Sequence, residues 1–156
     1  MLPLRDDIPA RRYPVVMVTL IGLNVLAFLY ELGLGRRLGE FLFLWGVVPV
    51  RYTRPEIAAL FHPAQQGMAF LSSMFLHGGW THLLGNMWTL WVFGDNVEDR
   101  LGRNRFLALY LVGGLSAAVL HVLTNFHSAI PTIGASGAVA AVMGAYVRFF
   151  PHARVT

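Results

Sequence analysis

Four long, predominantly apolar stretches limit how this chain can fold. They cover roughly residues 13–32, 68–93, 106–123 and 133–150, and a helix of about 20 apolar residues crosses the hydrocarbon core of a bilayer. The chain of 156 residues is 56% hydrophobic and 13% charged, whereas soluble domains contain about 25% charged residues. We therefore predict an all-α fold, a polytopic membrane helix bundle that contacts the lipid bilayer and forms one membrane domain over residues 1–156.

The distribution of arginines predicts the orientation in the membrane. All twelve basic residues are arginines beside apolar stretches, so the net charge of +4 does not indicate a nucleic-acid partner. With a cytoplasmic N-terminus, the cytoplasmic segments hold eight arginines and the outer connection holds four, in agreement with the positive-inside rule. We see no clear signal peptide or organelle-targeting segment and predict a bacterial plasma membrane. The chain has no cysteine, which excludes disulfides and thiolate metal sites.

The segments between the apolar stretches carry signals of their own. Residues 41–45, Phe-Leu-Phe-Leu-Trp, are too few to span a membrane and suit its interface. Thr53 and Glu56 have the spacing of a capping box, which predicts a short helix. Residues 94–105 are rich in polar side chains, and we interpret them as a polar turn. The connection 33–66 is interpreted as a partly membrane-embedded cap.

The fourth apolar stretch contains a hydroxyl group in an unusual setting. Ser136 stands between Gly134 and Gly137, and Thr132 is placed to cap a helix over residues 133–150. The free N–H groups and positive dipole at a helix N-terminus favour a developing oxyanion near this serine. Taken alone, serine and small residues are also ordinary packing residues of membrane helices.

A second group of polar residues lies in the second apolar stretch. His82 and Asn86 are four residues apart, so on a helix they share one face and both can donate hydrogen bonds. The predicted topology places them at the depth of Ser136, where a nucleophile and two donors would suit acyl transfer. The alternative is that the two side chains only tie neighbouring helices together. His77 is predicted to point away from that face and to be structural. The spacing does not suit zinc, and we predict no metal and no cofactor.

Three motifs in order resemble those of the rhomboid family of intramembrane serine proteases. They are residues 74–86 (MFLHGGWTHLLGN), 94–102 (GDNVEDRLG) and 134–137 (GASG). The resemblance runs over essentially the whole chain. It implies a bundle of six helices, of which four are present here, with a serine in a water-filled cavity. It also implies single-pass transmembrane proteins as substrates.

The resemblance assigns roles to individual residues. It implies that Ser136 is the nucleophile and that His82 and Asn86 supply oxyanion-hole side chains. It implies supporting roles for the glycines that flank the serine, for an acid–base pair and for one further histidine: Gly134, Gly137, Glu98, Arg100 and His77.

The chain departs from the family pattern at the catalytic base. In rhomboids the base is a histidine of the sixth helix, and only four spans are predicted here. We therefore expect a fragment of a longer protein or a truncated gene product, inactive alone, rather than a complete enzyme. Other histidines are poor substitutes by position: His62, His121, His127 and His152. A clear Trp-Arg pair, a feature of the outer loop in some family members, is also missing.

Three functions remain open from the sequence. The first is an intramembrane serine endopeptidase that cleaves transmembrane segments of membrane proteins. The second is a proteolytically inactive rhomboid-like protein that binds transmembrane helices. The third, a small transporter, is least favoured because the first and fourth spans show no ionisable residue in mid-span.

Overall fold

The structure, a computed structural model, describes residues 7–9 and 11–154. Within them the chain forms eight α-helices and one 3₁₀ turn, Gly35–Arg37. The helices are α1 Val15–Gly33, α2 Leu38–Trp45, α3 Val50–Thr53, α4 Pro55–Ala58, α5 Pro63–Ser72, α6 Trp80–Leu101, α7 Arg103–Thr124 and α8 Ser136–Phe149. The described residues contain no strand beyond one isolated bridge, between Val47 and Thr132. The all-α prediction is confirmed.

Four of these helices form the bundle. α8 packs against α6 and α7, and α1 packs against the same two helices from another side. Among the described residues, α1 and α7 are long and apolar enough to cross a membrane. α6 has the same length as α7 but carries more polar residues, and α8 is a shorter apolar helix of 14 residues. The alternating helix directions define a serine end, around Ser136, and an arginine end, around Arg103.

The second predicted span is not one helix. The prediction of a continuous helix over residues 68–93 is wrong, because α5 ends at Ser72 and α6 begins only at Trp80. Gly78 and Gly79 stand at the break, and Gly79 is the N-cap of α6. Glycine is a poor helix former and adopts conformations that end a helix. The apolar pattern runs through this break and conceals it.

The predicted polar turn over residues 94–105 is also wrong. α6 continues to Leu101, and the chain turns at Gly102, whose φ of 79° favours glycine. Asn96 and Glu98 are 2% and 4% exposed, respectively. Polar residues that the sequence assigned to solvent therefore lie within the helix bundle.

The carboxylate of Glu98 caps another helix. It accepts hydrogen bonds from the backbone N–H groups of Val16 at 3.0 Å and Met17 at 2.8 Å, in the first turn of α1. The N-cap residue of α1, Pro14, has no side-chain cap of its own. The negative charge also complements the positive end of the helix dipole. Arg100 is exposed and, in the described chain, forms no ion pair with Glu98; the implied acid–base pair is not formed.

The fourth apolar helix is shorter than predicted. It starts at Ser136 rather than Ile133, and Thr132 does not cap it. Thr132 instead pairs with Val47 through two backbone hydrogen bonds of 2.7 and 3.1 Å. With a rise of 1.5 Å per residue, α8 is about 21 Å long, less than the ~30 Å of a hydrocarbon core.

The connection between α1 and α5 is folded against the bundle. Residues 41–45, predicted at the interface, lie in α2. The predicted capping box is not formed. The short helix α4 starts at Pro55, and the Thr53 hydroxyl donates to the carbonyls of Pro49 and Phe126 instead of capping it. Arg51 is fully buried, and its guanidinium donates to the carbonyls of Phe43 and Leu44. These bonds hold α3 against the C-terminal end of α2.

Small residues set the distance between α7 and α8. A Cβ added at Gly113 would collide with the Cβ of Ala141, and one added at Gly137 would collide with that of Ala117. Gly144, further along α8, has open space around its Cα. The close contact between the two helices therefore involves Gly137 and Ala141 of α8, whereas Gly144 lies outside it.

Gly113→Ala and Gly144→Ala form a matched pair that tests this packing. We expect Gly113→Ala to destabilise the protein by about 1–3 kcal/mol, because the added methyl group forces the two helices apart. Gly144→Ala should be neutral or slightly stabilising, since alanine is the better helix former. Thermal unfolding in detergent measures both effects. Equal melting temperatures for the two variants would contradict the close contact.

Candidate active site

Ser136 is the first residue of α8 and is exposed. It lines a cavity of about 220 Å³ together with residues of α7, of the segment after α5 and of the segment that precedes α8, among them His121, Ser73, Thr132 and Gly134. Its hydroxyl has no hydrogen-bond partner in the part of the chain that the structure describes. The side chain is therefore accessible to a second molecule.

Backbone N–H groups converge on this position. The first N–H groups of a helix have no acceptor within the helix, and no side chain caps α8. The first helical bond at this end runs from the N–H of Val139 to the carbonyl of Ala135, at 2.9 Å. The N–H groups of Ser136 and Gly137 thus lie at the positive end of the α8 dipole, which favours negative charge there.

Gly134 brings His82 to the serine segment. Its φ of 119° is a conformation that suits glycine, and a Cβ there would lie 2.5 Å from Cε1 and 2.6 Å from Nε2 of His82. The N–H of Gly134 also donates to the carbonyl of Ser73 at 2.8 Å. Only a residue without a side chain lets the imidazole lie against the backbone two residues before Ser136.

His77 and Asn86 form a polar pair beside His82. The amide of Asn86 and Nε2 of His77 are 3.2 Å apart, and Nδ1 of His77 is 3.2 Å from the carbonyl of Phe75. A carbonyl only accepts, so Nδ1 carries the proton and Nε2 accepts from the Asn86 amide. The His77 ring also lies edge-on to the His82 ring, with centroids 5.1 Å apart. The prediction that His77 points away from the other two is wrong, because it lies in the turn before α6.

Glu31 is a site residue that the sequence analysis did not identify. Its carboxylate is 1% exposed and accepts the backbone N–H of His77 at 3.1 and 3.2 Å. A buried carboxylate is costly unless it is hydrogen-bonded, and ionisable residues within membrane spans are functional candidates by default. Its position in the last turns of an otherwise apolar span was the signal that could have revealed it.

The structure brings together most of the predicted site residues but supplies no base for the serine. His121 lines the cavity of Ser136, and its Nδ1 lies 3.4 Å from the Asn125 amide. His62 is the N-cap residue of α5, and its side chain accepts the N–H of Ala64. No histidine forms a hydrogen bond with Ser136 within residues 7–9 and 11–154. No cluster of three or more metal-binding side chains is present in the same residues.

Comparison with known proteins identifies the family. The model of the Rhomboid domain matches residues 64–156, more than half of the chain. The chain belongs to the rhomboid family. Members of this family are integral to membranes, which agrees with the apolar helices α1 and α7. No solved structure matches the chain.

Curated rhomboid relatives are similar to this chain over about half of its length. A presenilin-associated rhomboid-like protein A, mitochondrial, of Danio rerio is 38% identical over 53% of this chain and 22% of its own length. RHOMBOID-like protein 5 of Arabidopsis thaliana is 37% identical over 48% of this chain and 24% of its own length. Rhomboid-like protease 5 of Toxoplasma gondii is 42% identical over 49% of this chain and 9% of its own length. The match therefore spans a quarter or less of the length of these relatives.

The protonation state of His77 provides a test of the site geometry. Nitrogen NMR of histidine-labelled protein at neutral pH should show a protonated Nδ1 and an unprotonated Nε2 for His77. Asn86→Ala removes the donor to Nε2 and should shift that resonance, whereas Asn104→Ala, at the opposite end of the bundle, should leave it unchanged. A proton on Nε2 in the wild-type protein would refute the bond from Asn86.

Proposed function

We propose that this chain is part of an intramembrane serine endopeptidase that cleaves transmembrane segments of membrane proteins, with Ser136 as nucleophile. The observation that carries the proposal is the position of Ser136 at the uncapped N-terminus of α8, with His82 against the preceding Gly134. Free N–H groups and the His82 imidazole then lie close to an accessible hydroxyl group, and the Asn86 amide is bonded to His77, whose ring contacts that imidazole. These are the parts that acyl transfer requires apart from the base.

The proposed reaction has two steps. The Ser136 oxygen attacks the carbonyl carbon of the scissile peptide, its proton passes to the base, and negative charge develops on the carbonyl oxygen. The N–H of Ser136 and the side chains of His82 and Asn86 stabilise that charge. The C–N bond breaks, the amine leaves with the proton, and water then hydrolyses the acyl ester to release the acid and regenerate the serine.

The supporting residues fix the geometry of the donors. The Asn86 amide has two N–H bonds, and one of them is used by His77 Nε2. The other is available to the developing oxyanion. His77 is in turn held by Glu31 on α1. In this proposal Gly134 and Gly137 permit close approach of His82 and α7, respectively, and Glu98 acts through the stability of α1.

The base is proposed to be a histidine of a sixth helix, as the rhomboid resemblance implies. Serine is a weak nucleophile without an adjacent base, and this chain alone is therefore proposed to be inactive. One relative is named a protease, Rhomboid-like protease 5 of Toxoplasma gondii. Single-pass transmembrane proteins are the proposed substrates, with the serine end on the outer side of a bacterial plasma membrane and the N-terminus in the cytoplasm. The excess of arginines at the arginine end supports this orientation.

A proteolytically inactive protein that binds transmembrane helices is the second proposal. The unpartnered hydroxyl of Ser136 favours it, because no base is bonded to the serine in the described residues. Large apolar side chains also project from one face of α6, where Trp80, Leu84, Trp88 and Trp91 are at least 41% exposed. Such a face can pack against another helix within the membrane.

Ser136→Ala distinguishes the two proposals. In the full-length protein reconstituted in liposomes, the substitution should abolish cleavage of a single-pass transmembrane substrate while co-purification of the substrate is retained. Ser116→Ala, on the exposed side of α7, should cleave at the wild-type rate. Residual cleavage by Ser136→Ala would place the nucleophile elsewhere, and a wild-type protein that binds but never cleaves would favour the binding function.

Asn86→Ala tests the oxyanion donor. We expect kcat to fall by up to ~10²–10³ with little change in KM, because the amide would act only when the charge develops. The same assay with Asn104→Ala provides a control at the arginine end. A large loss of thermal stability with unchanged kcat would make Asn86 a purely structural residue.

A further inference from the structure

Five arginines surround two adjoining cavities at the arginine end of the bundle. Each cavity has a volume of about 610 Å³. The first is lined by Arg12, Arg103 and Arg105, and the second by Arg11, Arg12 and Arg100. Asp99, Leu101 and Gly102 line both cavities, so the two lie side by side around the turn between α6 and α7, and together we call them the recess.

The carboxylates in this recess do not neutralise the arginines. Glu98 accepts the backbone N–H groups of Val16 and Met17, and Asp99 accepts the backbone N–H of Arg11 at 3.1 Å. In the described part of the chain, none of the five arginines forms an ion pair. Five positive charges therefore face two negative charges that already bind backbone groups.

The start of α7 adds to the positive potential. Arg103 and Arg105 occupy its first turn, where the helix dipole is itself positive. The first turn contains no acidic residue, and no side chain caps it. Cations are unfavourable in this position unless an anion lies nearby, and the recess provides the volume for one.

The recess lies where the chain enters the membrane. The apolar helices α1 and α7 begin beside it, at Val15 and Arg103. Tyr13 lines its edge and is 71% exposed, as is typical of an aromatic residue at a membrane interface. Leu101 and Phe150 provide apolar lining. Positive charge next to apolar surface matches a ligand with a phosphate group and acyl chains.

From these observations we infer that the recess binds the phosphate group of an anionic phospholipid. Arg103, Arg105 and the N–H groups at the start of α7 contact the phosphate, and Arg12 closes the recess from the α1 side. The acyl chains lie along the apolar surface between α1 and α7. This site is separate from Ser136 and does not depend on the proposed proteolysis.

Native mass spectrometry of the full-length protein in detergent tests the site. Titration with dioleoylphosphatidylglycerol should give binding at least tenfold tighter than titration with dioleoylphosphatidylcholine. Arg103→Gln together with Arg105→Gln should weaken phosphatidylglycerol binding by roughly 10- to 30-fold, because each arginine near the surface contributes about 1 kcal/mol of attraction. An unchanged melting temperature confirms that this variant is folded.

Two control variants separate the site from general attraction. Arg36→Gln together with Arg37→Gln removes two exposed arginines at the serine end and should leave the affinity unchanged. Asp99→Asn keeps an oxygen for the N–H of Arg11 but removes a negative charge, so it should tighten binding. Equal losses from the two arginine pairs would overturn the site. Displacement of the lipid by an equal concentration of inorganic phosphate would overturn the assignment to a lipid.

Discussion

The hydrogen bonds from the His77 backbone to the buried carboxylate of Glu31 hold the serine end together. They connect α1 to the turn between α5 and α6, where helical bonding is interrupted. His77 then accepts from Asn86, and His82 lies between the His77 ring and Gly134. Without the carboxylate, the N–H of His77 would be buried and unpaired, at a cost of about 1–3 kcal/mol. The relative positions of these side chains depend on that one buried carboxyl group.

Much of the site could be predicted from the sequence, because local spacing determines it. His82 and Asn86 share a face of α6, and alternating helix directions bring that end of α6 to the start of α8. The structure places His82 against Gly134, as the predicted topology requires. The all-α fold class could be predicted from the composition. A chain this apolar is expected in a membrane, where helices form the backbone hydrogen bonds within each segment.

The remaining features depend on contacts between distant residues, which periodicity does not reveal. The break before Trp80 is stabilised by Glu31, 46 residues away in the chain. Residues 94–105 were predicted to form a polar turn because they are rich in polar side chains, yet Glu98 is buried against N–H groups of α1. Threonine is a common N-cap residue, but the backbone pairing of Thr132 with Val47 determines its conformation. In each case a tertiary hydrogen bond outweighs the local preference.

The cap that Glu98 provides has a consequence for biosynthesis. Val16 and Glu98 are 82 residues apart, and a ribosome adds about 5–20 residues per second. Val16 therefore leaves the ribosome roughly 4–16 s before Glu98 does. During that interval the first N–H groups of α1 must bind water or lipid headgroups at the membrane surface. The first turn of α1 thus gains its cap only after the last turns of α6 have been synthesised, late in the assembly of the bundle.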